Sequence, residues 1–132
     1  MNPVLEYCGN YIEIKDFRHS LDDERAGNPY NCSFNIKIVS GLFSGFADGC
    51  ELDYQELKRF IEQLDDLINF RINKFTFVEI GYGNSIRFVC DKTGHIKVSG
   101  EIYGDAMSHR LKFEFMTDQT AFPPFINALK NL

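Results

Sequence analysis

The apolar residues of this chain change period twice, and that change restricts the fold more than any other feature. Tyr54, Leu57, Phe60, Ile61, Leu64, Leu67 and Ile68 recur at three- and four-residue spacings. Seven apolar positions on one stripe predict an amphipathic helix from about Asp53 to Asn69. Asp53 followed three residues later by Glu56 predicts an N-cap with a capping-box partner.

On both sides of this helix the period is two. Tyr11-Ile12-Glu13-Ile14-Lys15 alternates, and Cys32, Phe34, Ile36 and Ile38 alternate with Ser33, Asn35 and Lys37. Both stretches read as half-buried strands. A third strand is expected from about Leu42 to Cys50, after a turn at Ser40-Gly41. Asp16 to Asn31, with few apolar residues and with Gly27 and Asn28-Pro29, is expected to be a long polar loop. After the helix, four strands are expected: Lys74–Ile80, Ser85–Asp91, His95–Tyr103 and His109–Met116. Their short connections predict antiparallel neighbours. A short helix from about Ala121 to Leu132 closes the chain, with Asp118 or Thr120 as cap and Pro123 and Pro124 in its first turn. The expected fold is therefore α+β in the order β3-α-β4-α. One curved antiparallel sheet of six to seven strands carries a long central helix and a short C-terminal helix on one face.

A chain of 132 residues suits one domain, 1–132, with a core large enough to need neither disulfide nor metal. Nineteen acids against fourteen bases give a net charge of -5. That charge argues against direct nucleic-acid or anionic-membrane binding, both of which need surplus Lys and Arg. No apolar run approaches ~18 residues, and no signal-peptide block opens the chain. The expected location is cytoplasmic.

The residues that carry chemistry elsewhere are scattered here. Cys8, Cys32, Cys50 and Cys90 show no C-x-x-C spacing and no neighbouring His, so they read as free thiols, with no metal or other cofactor implied. His19, His95 and His109 fall in a loop, after a turn and at a strand start, with no convergent nucleophile. Gly81-Tyr82-Gly83-Asn84 leads into a strand, whereas phosphate-cradling loops lead into a helix. The thirteen Phe residues lie mostly in phase with a core face. No catalytic residue is assigned.

Charge placement is the one feature that points outward. From Asp48 to Asp66 there are seven acids and two bases, a net of -5, and the rest of the chain balances at twelve of each. Asp65 and Asp66 lie near the helix C-terminus, where negative charge is unfavourable by a few tenths of a kcal/mol each. Glu51, Glu56, Glu62, Asp65 and Asp66, with Asp22, Asp23 and Glu24 in the polar loop, are the candidate partner-binding residues. An acidic face of this kind accelerates docking on a basic protein surface.

The opening Tyr11-Ile12-Glu13-Ile14, the strand Cys32 to Val39 and the ending carry a resemblance. In the ending, Leu111-Lys112-Phe113-Glu114-Phe115 leads through Asp118-Gln119-Thr120 to Phe122-Pro123-Pro124-Phe125. The order of elements resembles the WapI-like bacterial immunity proteins and related small families of unknown function. The resemblance implies a non-enzymatic protein that binds and neutralises a cognate toxin domain, often a nuclease, encoded beside it. It brings no catalytic residues. Two other readings stay open. A small-molecule binder or enzyme would need a pocket between sheet and helices. An oligomeric interaction module would join copies through an exposed sheet edge.

Overall fold

A computed structural model describes Met1–Leu132 and holds eight strands and three α-helices. The first sheet contains β1 (Val4–Tyr7), β2 (Asn10–His19), β3 (Cys32–Ser40) and β4 (Phe43–Leu52) in that order, with helix α1 (Leu21–Arg25) between β2 and β3. Helix α2 (Tyr54–Ile68) follows. The second sheet is β5 (Lys74–Val78), β6 (Ser85–Cys90), β7 (His95–Gly104) and β8 (His109–Asp118), again in chain order. A 3-10 turn, Gln119–Ala121, leads into α3 (Phe122–Lys130). Every sheet neighbour is antiparallel.

The α+β class and the antiparallel strands stand, but the single sheet of six to seven strands is corrected to two sheets of four. Periodicity reports which residues face inward, not which strands pair. The 15-residue helix between β4 and β5 carries the chain from one meander to the next, and no short turn forces those two strands together. The polar loop is corrected as well. β2 runs on to His19 through a register shift between Lys15 and Arg18, with Asp16 at φ 54°. The bulge breaks the alternation that would have marked a strand. Ser20 then caps α1, its Oγ accepting from the Asp23 N–H. The additional β1 joins β2 through Cys8-Gly9, both at positive φ as a two-residue type I′ turn requires.

Both sheets and both longer helices contribute to one hydrophobic core. Phe60 of α2 is its hub, with ring centroids 4.5 Å from Phe77, 6.0 Å from Phe75 and Phe88, and 6.3 Å from Phe125. β4 crosses the second sheet so closely that a Cβ at Gly45 would lie 2.8 Å from Leu111 and 2.9 Å from Ile102. A larger residue there would have to push those two side-chain ends aside. The ligand pocket required by the small-molecule reading does not open between sheets and helices. The apolar cavity bordered by Phe17, Phe34, Phe60, Phe77 and Leu132 measures about 10 Å³, barely the space of one water. No helix is long and apolar enough to cross a membrane.

Candidate protein-docking surface

The two acidic segments, Asp22–Glu24 and Asp48–Asp66, meet in space at the start of α2. Asp53 caps the helix, its Oδ1 accepting from the Gln55 N–H at 3.1 Å. Glu56 does not reach back to complete a capping box; its carboxylate lies 4.0 Å from Arg59. Buried Asn31 ties the cap to β3. Its Nδ2 donates to Asp53 Oδ1, and its Oδ1 accepts from the Tyr54 N–H. The His19 ring then stacks on Tyr54, with centroids 4.1 Å apart and planes 5° from parallel. Its Nε2 meets Glu24 Oε1 at 2.9 Å, which fixes α1 beside α2. Lys58 Nζ stands 5.0 Å over the same Tyr54 ring.

The junction brings α1 beside the first turn of α2, while Asp65, Asp66 and Arg71 lie at that helix's other end. Asp16–Arg25 and Asp48–Arg71 together hold eleven acids and five bases, a net of -6, more negative than the whole chain. Asp22 and Asp23 are exposed on α1, as are Glu56 and Glu62 on α2, and Glu51 is half-buried at the end of β4. Asp22, Asp23, Glu51 and Glu62 take part in no ion pair, whereas Glu24 is held by His19.

Asp65 and Asp66 differ from the rest. Arg71 reaches back and binds both, Nη2 to Asp65 Oδ2 at 2.8 Å and Nε to Asp66 Oδ1 at 2.7 Å. The helix ends in a Schellman arrangement, with Arg71 N–H donating to the Asp66 carbonyl and Phe70 N–H to the Leu67 carbonyl. Phe70 takes the left-handed position at φ 59° that glycine usually fills. The Arg71 cation therefore sits where the helix macrodipole favours it and offsets the two carboxylates. The hydrogen bonds that Arg71 donates to the two acids, that to Asp66 foremost, raise its pKa above the ordinary value.

The sequence reading missed Glu79, which is fully buried. Its Oε1 accepts from the backbone N–H of Tyr82 (2.7 Å) and Asn84 (3.0 Å) and from Asn84 Nδ2 (2.7 Å). Its Oε2 accepts from the N–H of Gly81 (2.7 Å) and Glu51 (2.9 Å). Five donors and no donor of its own suit an ionised carboxylate. Glu79 thus orders the β5–β6 turn and fastens the second sheet to β4, beside the start of the acidic helix. The signal was present in the sequence: Phe75, Phe77 and Glu79 share one strand phase, so a charged residue occupied a core position.

The remaining chemical groups are spent on structure. All four cysteines are free, and only Cys8 is exposed. Burial pushes the Cys50 thiol up to about 12, helped by the Glu79 charge, and Cys32 up to about 11, helped by Glu24 and Asp53. Ser108 Oγ donates to the Asp105 carbonyl at 2.7 Å and so is not directed at His109. His95 is exposed, with Nδ1 2.7 Å from Thr93 Oγ1. No three His, Cys, Asp or Glu side chains are grouped to hold a metal ion.

No curated protein and no solved structure matches the chain. A family model does: residues 9–132, nearly the whole length, match the immunity protein WapI-like family. The expectation raised by the opening and closing strands therefore holds, and the chain belongs to the immunity protein WapI-like family.

Proposed function

We propose that this chain is a cytoplasmic immunity protein that neutralises a cognate toxin domain by binding it, with no reaction of its own. Family membership carries the class. The contact of α1 with the start of α2 supports the choice of surface, since the two segments that meet there, Asp16–Arg25 and Asp48–Arg71, hold a net charge of -6. Such a surface suits a basic cleft, as a nuclease presents to phosphates, and its field speeds encounter. Asp22, Asp23, Glu51, Glu56 and Glu62 do most of the docking, since Arg71 already holds Asp65 and Asp66.

The test is a binding measurement against the toxin domain encoded beside this chain. Reversing Asp22, Asp23 and Glu62 to Lys is expected to slow association at least about tenfold at low salt, a difference that shrinks as salt rises. Unchanged association rates would show that the acidic side is not the interface.

A further inference from the structure

The turn that buried Glu79 orders carries one large exposed side chain, and it is aromatic. Gly81-Tyr82-Gly83-Asn84 joins β5 to β6, and the Glu79 carboxylate gathers the N–H groups of Gly81, Tyr82 and Asn84 at one point. A Cβ at Gly81 would lie 2.9 Å from Glu79 Oε2 and 3.3 Å from the Gly49 carbonyl, so glycine lets the turn close down on β4. Two further bonds fasten it there. Glu79 Oε2 accepts from the Glu51 N–H, and the Ile80 N–H donates to the Glu51 carbonyl at 2.8 Å. Tyr82 leans on the same strand: its Cε2 lies 3.7 Å from a Cβ position at Gly49, yet the residue is 45 % exposed. Asp48, exposed, and Glu51, half-buried, flank that contact in β4, and neither takes part in an ion pair. Two residues after Glu51 comes the Asp53 cap of α2, so Tyr82 borders the acidic surface.

We propose, resting on the immunity reading above, that Tyr82 is the anchor of the docking surface. Its ring receives an arginine or lysine side chain of the toxin domain, and the Asp48 and Glu51 carboxylates hold that side chain's charge. Scattered acids raise the rate of encounter, but a long-lived complex depends on a few large side chains at its centre. Tyrosine suits that role because it offers a broad face on two rotatable bonds and loses little freedom on binding. A ring beside unpaired carboxylates attracts a cation twice, through the π face and through the charges. The basic cleft that complements the acidic helices supplies such a cation. The anchor also accounts for the buried charge. Phe75 and Phe77 precede Glu79 in phase, and an apolar residue there would continue their core face without burying a carboxylate. What Glu79 adds is position: it sets Tyr82 against β4 between the two acids, and so is a positioning residue for the contact.

Association and dissociation rates of the full chain with the toxin domain encoded beside it test the proposal. Tyr82→Ala is expected to dissociate at least about 30-fold faster, with its association rate within about threefold of wild type. Tyr82→Phe keeps the π face and is expected to dissociate within about threefold of wild type. Tyr82→Leu keeps bulk alone and is expected to dissociate at least about fivefold faster. Glu79→Gln is expected to speed dissociation when Tyr82 is present and to add nothing in the Tyr82→Ala background, the coupling that a positioning role requires. Dissociation of Tyr82→Ala at the wild-type rate overturns the proposal; if the Asp22/Asp23/Glu62 reversal still slows association, the acidic docking surface stands without this anchor. A Tyr82→Leu complex as long-lived as wild type overturns the cationic contact, and additive effects of Glu79→Gln and Tyr82→Ala overturn the positioning role. A full chain that does not bind the toxin domain overturns the immunity reading itself.

Discussion

Glu79→Gln tests whether the buried carboxylate fastens the two sheets. Glutamine is nearly isosteric and keeps one carbonyl oxygen. The better orientation leaves that oxygen facing the three donors now on Oε1, from Tyr82 and Asn84. The new NH₂ then faces the N–H groups of Gly81 and Glu51 at the Oε2 position. Two part-buried backbone donors lose their acceptor. Each such loss costs ~1–3 kcal/mol, so the variant is expected to be ~2–6 kcal/mol less stable. Natural domains hold only ~5–15 kcal/mol in total. The desolvation argument that favours replacing buried charges by apolar groups does not reverse this sign, because four of the five donors are backbone and stay in place. With an m-value of ~2 kcal/mol/M, the urea midpoint should fall by ~1–3 M. Glu62→Gln, on the exposed face of α2, should shift it negligibly. A Glu79→Gln midpoint within ~0.3 M of wild type would refute the reasoning.

Three further outcomes follow from the same geometry. In the native protein one thiol, Cys8, should react rapidly with an aromatic disulfide reagent, and all four should react after unfolding. Two fast-reacting thiols would contradict the burial of Cys32, Cys50 and Cys90. Hydrogen bonds from Thr120 hold the Asp118 carboxyl below its ordinary value of 3.8. Its pKa is lower folded than unfolded, so its stabilisation is complete above about 4 and is lost as pH falls through the depressed value. Carboxyl NMR titration of Thr120→Val should show Asp118 moving back up. Arg71→Ala should lower stability only slightly at low salt, because the pairs it loses are about half exposed. In ~1 M salt, where screening shortens to a few ångströms, the cost should shrink; a cost independent of salt would mean packing, not charge, holds the turn.

The sequence made α2 and the long strands legible because burial on one face imposes a period that the chain cannot hide. The helix stripe and Asp53 cap, the β3 alternation and the four strands of the second meander all lie close to their expected positions. What escaped was structure that does not depend on that period. The bulge near Asp16 disguised the second half of β2, and α1 is too short to show a stripe. The split into two sheets depends on pairing, which no residue pattern in α2 specifies. For the site, the excess of acids on α2 was readable. The partner of Asp65 and Asp66 was not, because Arg71 meets them only after the chain turns at Phe70. The meeting of α1 with α2 rests on His19 and Tyr54, thirty-five residues apart, which no local motif joins.

The most direct test of the central claim is a titration of the neighbouring toxin domain's activity with increasing amounts of this chain. Neutralisation by binding predicts activity falling linearly to a sharp endpoint at one chain per toxin, with full activity recovered when the complex is dissociated in denaturant and the toxin refolded alone. Inhibition at far below one chain per toxin, or toxin left covalently altered after separation, would mean that the chain acts as a catalyst and would contradict the account.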